Sequence, residues 1–284
     1  LRAGLTDRLW RKGEIARLID ANKAPARSVD HTKAERDRML VLTPLPDVDV
    51  EPGVRNGRVP REGYQRGWGL QFGDIKPSVL SEPLYRSAMN AMVLPSSLAE
   101  EKRINLYLIM TRFLSNLENQ DIIEFGSFKG GNAIFMASVM REVAPDARIY
   151  ALDTFSGMPD TDKTIDAHTK GDFGDTSLGA LEQAIDQLGL RNLIPVKGLF
   201  QETFPALAPN TKFGLAHIDA DIYSAIKYAQ DAVWPRMTQG GYVVYDDADV
   251  SSCIGATQAV EELIQERRVH SEQIWPHFVF RTGL

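Results

Sequence analysis

The chain has 284 residues, 43% hydrophobic and 25% charged, with a formal net charge of -6. That balance is ordinary globular material, enough for one large domain with an appendage, and its acidity argues against nucleic acid or an anionic membrane as partner. One cysteine, Cys253, excludes an internal disulfide, and with no run near the roughly 18 apolar residues of a membrane span and no signal-peptide core the expected location is cytoplasmic.

Residues 1–95 read as an N-terminal extension. Leu5, Leu9, Trp10, Ile15, Leu18 and Ile19 recur at helical spacing, so Leu5–Ala21 is expected to be an amphipathic helix. A more charged helix is expected over Thr32–Leu42. Thr43–Pro77 is rich in Pro, Gly and Arg, with Tyr64, Trp68 and Phe72 among them. Irregular segments of that length serve as linkers or as functional lids. Two readings stand equally here, a lid or subunit contact and a passive arm, and a homo-oligomer is expected.

Residues 96–284 are regular. Ser97 and Glu100 have capping-box spacing for a helix to about Leu117, with a stripe of Ile104, Leu108, Ile109, Phe113 and Leu117. Strands and helices then alternate. Strands are expected at Asp121–Phe125, Ala147–Leu152, Leu193–Val196, Lys212–Ile218, Gly241–Tyr245 and Trp275–Phe280. Helices are expected at Asn132–Val143, Leu178–Leu188, Ile222–Trp234 and Ala256–Arg267, and a short one from Gln201. Alternation of this kind gives an α/β fold, a doubly wound and mostly parallel Rossmann-like sheet. Ligands of such sheets bind beyond the C-terminal ends of the strands, so the residues after each strand carry the function.

After the first strand comes Gly126-Ser127-Phe128-Lys129-Gly130-Gly131, a turn that leads into a helix. Glycines allow close backbone approach, and a helix N-terminus offers free N–H groups. The second strand ends at Asp153, placed to accept from ribose hydroxyls of a nucleoside cofactor. The fourth strand runs into Asp219 and Asp221, the fifth into Asp246, Asp247 and Asp249. Carboxylates gathered at neighbouring strand ends repel, and a divalent cation with hard oxygen ligands, Mg²⁺, is the simplest neutraliser. The competing explanation makes them N-caps of the two following helices. His217 reads as a packed strand residue, and His168, in a polar loop, is a weaker candidate for substrate contact. Cys253 has no basic neighbour in sequence and is not read as a nucleophile.

Two cofactor classes fit these positions. Nicotinamide chemistry expects G-x-G-x-x-G, whose second glycine clears a pyrophosphate. Phe128 stands at that position and would obstruct it. S-adenosylmethionine (SAM) has no pyrophosphate, and a metal held by carboxylates serves methyl transfer to a hydroxyl by lowering its pKa.

The strings I-I-E-F-G-S-F-K-G-G-N-A, A-L-D-T-F-S-G-M-P, L-F-Q-E-T-F-P, A-H-I-D-A-D-I-Y-S-A and G-G-Y-V-V-Y-D-D-A resemble the macrocin O-methyltransferase family, over about Ile104 to Arg281. The resemblance implies a class I methyltransferase with a seven-stranded sheet, dependent on SAM and Mg²⁺, acting on a hydroxyl of a natural-product sugar. Carried onto this chain, it implies Asp219, Asp246 and Asp247 as metal ligands and Asp221 as the general base. Glu124, Gly126, Gly130 and Asp153 match the SAM site, with Ser127, Thr154 and Asp219 beside them. Gln201 corresponds to a position by the adenine in the wider class of small-molecule O-methyltransferases. A catechol-type methyltransferase acting on an aromatic diol shares this fold and metal, and an NAD(P)-dependent oxidoreductase is the remaining alternative.

Overall fold

The computed structural model describes residues 75–283. The expected helices at Leu5–Ala21 and Thr32–Leu42, and most of the irregular Thr43–Pro77 stretch, lie outside those residues. Six strands form one sheet in the order β3-β2-β1-β4-β5-β6. They are β1 (Ile122–Phe125), β2 (Ile149–Asp153), β3 (Leu193–Lys197), β4 (Phe213–Ile218), β5 (Met237–Tyr245) and β6 (Phe278–Arg281). The first five are parallel, and β6 runs antiparallel to β5. The order reverses between β1 and β4, so the ligand crevice of a doubly wound sheet belongs there.

Seven strands were expected, and the described residues form six. Between the last helix and β6, residues 268–277 contribute only an isolated bridge from Gln273 to Val279. Pro276 lies in that stretch and has no N–H to give to a ladder.

The helices are α1 (Ile75–Ser81), α2 (Pro83–Ala91), α3 (Glu100–Arg112), α4 (Gly131–Val143), α5 (Leu178–Leu188), α6 (Phe200–Ala206), α7 (Tyr223–Val233) and α8 (Ile254–Arg267). Strand residues alternate between two cores. Ile122, Ile149, Ala151 and Leu215 pack under α2, α3, α4 and α5. Ile123, Phe125, Tyr150, Leu152, Ala216 and Ile218 pack under α6, α7 and α8. Period-two alternation with apolar residues on both faces is what a sheet covered on both sides requires. Val79, Tyr85 and Ala88 of α1 and α2 are buried in the first core, so these helices share the core of residues 96–283 although they precede residue 95.

Local chemistry sets the helix ends unevenly. Ser177 caps α5 by accepting from the Ala180 N–H at 3.3 Å, and Gly189 ends it in the left-handed region. The capping box expected at Ser97 is not made: α3 starts after Ala99 with no side-chain cap. Nor is its apolar face the expected stripe. Leu106, Tyr107 and Met110 are buried with Ile104 and Ile109, whereas Phe113 is about half exposed at 48%. The helix also buries Lys102, Arg103 and Asn105, because it lies between α4 and the mouth of the sheet.

Candidate active site

Ladder hydrogen bonds carry each strand into its functional residue. The Asp219 N–H donates to Phe125 O and the Asp246 N–H to Ile218 O, each at 2.9 Å. Both carboxylates therefore leave the sheet at the same height, beside the turn after β1. That turn must be glycine at Gly126: its φ is +94°, and a Cβ there would collide with the Asp219 carbonyl. The strand ends of β1 and β4 thus touch backbone to backbone.

A cavity of about 460 Å³ opens over these ends. Volumes of this order suit a cofactor-sized ligand. Among its walls are Gly126, Asp153, Thr154, Gln201, Asp219, Asp221, Asp246 and Asp247. Sequence reasoning therefore brought most of its candidates to one place. Glu124, Ser127 and Gly130 are not among the wall residues. Glu124 is buried behind the cavity, its Oε1 accepting from Asn132 Nδ2 at 2.7 Å and lying 3.1 Å from His217 Nδ1. Gly130 begins α4 against Leu181, and Ser127 is buried in the turn.

Asp153 ties two loops. Its Oδ2 accepts from the Phe128 N–H at 2.8 Å and its Oδ1 from the Phe155 N–H at 2.7 Å. Both donors belong to residues at positive φ, 50° and 48°. Burial raises the Asp153 pKa, and the two backbone bonds work against that rise. Thr154 Oγ1 donates to Gly157 O at 2.6 Å and shapes the loop after β2. That loop continues to Asp166, whose Oδ1 accepts from the Tyr223 N–H at 2.8 Å.

Three carboxylates face one another. Asp219, Asp246 and Asp247 each place an oxygen within 4.8 Å of the other two. None of the strand-end aspartates caps α7 or α8: α7 begins after Ile222 and α8 after Cys253, neither with a side-chain cap, so that explanation fails. The charges around them are uneven. Asp246 is surrounded by cationic and donor groups: Lys102 Nζ lies 3.0 Å from Oδ2, and His277 Nε2 lies 2.9 Å from Oδ1. Against the effect of burial, His217, His277 and Lys102 hold Asp246 well below the usual carboxylate range. Burial opposes charge on His217 too, but Asp246 and Glu124 outweigh it and lift this histidine to about 9. His277 is pushed down to about 4, chiefly by burial. It is neutral, accepts from Asn105 Nδ2 at Nδ1 and donates from Nε2 to Asp246.

Lys102 and His217 thus compensate Asp246 and Glu124. Among the described residues Asp219 and Asp247 form no ion pair, and burial and their acidic neighbours push both pKa values well up. A cluster of hard oxygens short of positive charge fits a divalent cation such as Mg²⁺.

Asp221 sits apart from that ring. Its backbone is left-handed, with φ 57°. Its Oδ1 lies 3.5 Å from Cys253 Sγ and 3.7 Å from His168 Nε2. Burial, the largest effect, raises its pKa. The Cys253 thiol is pushed up to about 12 by burial and by Asp247, so it is a protonated thiol and no nucleophile. Phe128, Phe173 and His168 form a file of rings along the loop side, with centroids 5.6 and 5.5 Å apart.

Lys102 and His277 are the residues that sequence reasoning missed. Lys102 lies in α3, far before the strands, and His277 in the turn before β6. Lys102 stands among Glu100, Glu101 and Arg103 in the charged first turn of α3, so nothing in the sequence set it apart.

Residues 87–275 match the family described as Macrocin-O-methyltransferase (TylF). Among curated proteins, the chain is 27% identical over 161 residues to an 8-demethyl-8-(2,3-dimethoxy-alpha-L-rhamnosyl)-tetracenomycin-C 4'-O-methyltransferase of Streptomyces olivaceus, covering 52% of this chain and 60% of that protein. It is also 27% identical to the mycinamicin III 3''-O-methyltransferase of Micromonospora griseorubida, over 54% of this chain and 63% of that one. The match thus spans less than two thirds of the length of these relatives. Among solved structures, the O-methyltransferase NovP aligns with TM-score 0.56 at 20% identity, over 74% of this chain and 95% of that one. The calicheamicin methyltransferase CalS11 aligns with TM-score 0.55 at 18% identity, over 93% and 100%. At these identities the structures speak to the fold alone.

Proposed function

The chain belongs to the macrocin-O-methyltransferase (TylF) family, and from that membership and the cavity we propose that it transfers a methyl group from SAM to a hydroxyl of a natural-product sugar, with Mg²⁺ as the metal. The observation that carries this reading is the meeting of two features on one cavity: the Gly126 turn with Asp153, and the ring of Asp219, Asp246 and Asp247. The relative named for the 4'-O-methylation of a rhamnosyl-tetracenomycin, with the mycinamicin III 3''-O-methyltransferase beside it, supports a sugar acceptor.

Asp153, Gly126, Thr154 and Gln201 form the cofactor side. The Asp153 carboxylate, anchored by two N–H groups, keeps lone pairs free for ribose hydroxyls. Phe128 lines the cavity where the dinucleotide fingerprint has its second glycine, which argues against a pyrophosphate there. Asp219, Asp246 and Asp247 would hold Mg²⁺, which when bound polarises hydroxyl oxygens and lowers their pKa. Lys102 and His277 fix Asp246 in one orientation. Asp221 takes the proton of the attacking hydroxyl, since its carboxylate borders the cavity beside the metal ligands. Its raised pKa brings it closer to the working range of a general base.

The test is calorimetric titration with SAM, with and without Mg²⁺, with NADH as control, followed by a screen of glycosides for Mg²⁺-dependent methylation. Micromolar SAM binding, silence with NADH and a methylated glycoside support the reading. Absence of SAM binding in both conditions removes it.

A further inference from the structure

Beside the oxygen ring lies a second donor set of different chemistry. His168 Nε2, Asp221 Oδ1 and Cys253 Sγ converge on one point of the cavity wall. The three pairwise distances are 3.7 Å for His168 to Asp221, 3.5 Å for Cys253 to Asp221 and 3.7 Å for Cys253 to His168. Around a tetrahedral zinc, with Zn–S about 2.3 Å and Zn–N or Zn–O about 2.0–2.2 Å, donors stand roughly 3.3–3.6 Å apart. The side chains therefore already outline one face of such a tetrahedron. We propose that His168, Asp221 and Cys253 form a binding site for a thiophilic divalent cation, Zn²⁺ in the first instance, with its fourth position open to the cavity.

Three further observations support the site. First, the other ring nitrogen of His168 faces a carboxylate, Nδ1 lying 3.6 Å from Asp172 Oδ2. Metal-binding histidines are commonly oriented by a carboxylate on that side of the ring. Second, the donors come from three separate segments: the loop after β2, the turn after β4 and the start of α8. None of the three is a neighbour in sequence, so their convergence is not a local accident of one turn. Third, the field at the sulfur is negative. The thiol pKa is raised by burial and then by Asp247 and Asp221, and the same field that resists a bare thiolate attracts a dication.

The donor set also separates this site from the oxygen ring. Asp219, Asp246 and Asp247 offer only hard oxygens and suit Mg²⁺. A nitrogen, a sulfur and one oxygen select zinc or cobalt over magnesium. On binding, the metal–sulfur bond forms as the S–H bond breaks, and one proton per metal leaves to solvent. The bound ion would occupy the Asp221 oxygen assigned to take the acceptor's proton. That inhibitory consequence rests on the methyl-transfer reading, whereas binding itself does not.

The experiment uses the whole protein with Co²⁺ as the spectroscopic probe, in the presence of excess Mg²⁺ to fill the oxygen ring. One equivalent of Co²⁺ is expected to give a thiolate-to-cobalt charge-transfer band, displaced by Zn²⁺ and not by further Mg²⁺. Because the chain has a single cysteine, the band reports Cys253 alone. It should vanish in Cys253→Ser and weaken or shift in His168→Gln. As a measurement that needs no variant, calorimetry in buffers of different ionisation enthalpy should show about one proton released per Zn²⁺ bound and none for Mg²⁺. No charge-transfer band at up to millimolar Co²⁺, together with no proton release on Zn²⁺ addition, overturns the site. So does a band unaltered in His168→Gln. Neither result touches SAM binding, so failure here is distinguishable from failure of the methyl-transfer reading.

Discussion

The backbone N–H of Asp221 donates to Asp247 Oδ2 at 2.9 Å. The proposed base is thereby locked to a proposed metal ligand through its main chain, while its side chain turns to Cys253 and His168. It also explains how a non-glycine residue keeps φ at 57°: aspartate and asparagine tolerate this region, and the bond to Asp247 holds it. Asp221→Asn should therefore keep the fold and lose the proton acceptor. Turnover is expected to fall about 10²–10⁴-fold, with SAM affinity unchanged. Asp221→Ala should lose as much activity and also stability. Steady-state kinetics, calorimetry and thermal melts of the two variants separate the effects, and unchanged turnover in Asp221→Asn would remove it from the base role.

Lys102 is the buried cation of the acidic cluster, 3.0 Å from Asp246 and 3.5 Å from Asp249. Breaking a buried pair by removing one partner costs about 3–5 kcal/mol, because the other charge is stranded. Lys102→Met should show such a loss in denaturant melts. It should also make Mg²⁺ more stabilising than in the parent protein, since a dication then relieves more repulsion. If Mg²⁺ raised the melting temperature of both proteins equally, Lys102 and the metal would not share the same field.

Gly126 and Gly171 both have positive φ, 94° and 89°, but only the first is crowded. A Cβ at Gly171 meets nothing within 4 Å, so Gly171→Ala should cost only the left-handed penalty, about 1–2 kcal/mol. Gly126→Ala adds a collision with the Asp219 carbonyl and should cost clearly more, with loss of SAM binding. Equal stability losses in the two variants would argue against close contact between β1 and β4.

Asp121 lies before β1, accepting from the Arg148 N–H at 2.9 Å. Burial, the dominant effect, raises its pKa above the usual carboxylate value. The sign is the less usual one for a carboxylate. With a folded pKa above the unfolded one, ionised Asp121 subtracts from stability at neutral pH, and that deficit disappears as pH falls below the unfolded value of about 3.9. Asp121→Asn keeps the acceptor and removes the charge. Its melting temperature should exceed the parent's near neutral pH, and the gap should close in acid. A gap that widens in acid would show that the carboxylate stabilises the fold.

What was readable in the sequence followed strand logic. Asp153, Asp219, Asp246 and Asp247 stand just after apolar runs, and a parallel sheet puts such residues on one edge whatever the rest of the chain does. Helix α5 was readable residue by residue, since Ser177 and Gly189 bracket it with their own chemistry. Residues whose role depends on packing were not readable. Glu124 belongs to the same strand end as Gly126, yet the pleat turns it away from the cavity toward His217. The seventh strand expected from the family resemblance has no counterpart among residues 268–277. Lys102 and His277 reach Asp246 from opposite parts of the chain, a meeting that no local spacing encodes.

That meeting has a chronological consequence. Asp246 is gripped by Lys102, which comes before the first strand, and by His277, which comes just before the last. The grip closes only after β6 has docked antiparallel on β5 and α3 has settled at the sheet's mouth. Until then Asp246 has neither the orientation nor the compensating charge that the folded site gives it. A nascent or partly assembled chain would therefore hold a divalent ion weakly, and tight uptake of the ion would mark the moment at which the whole sheet is complete.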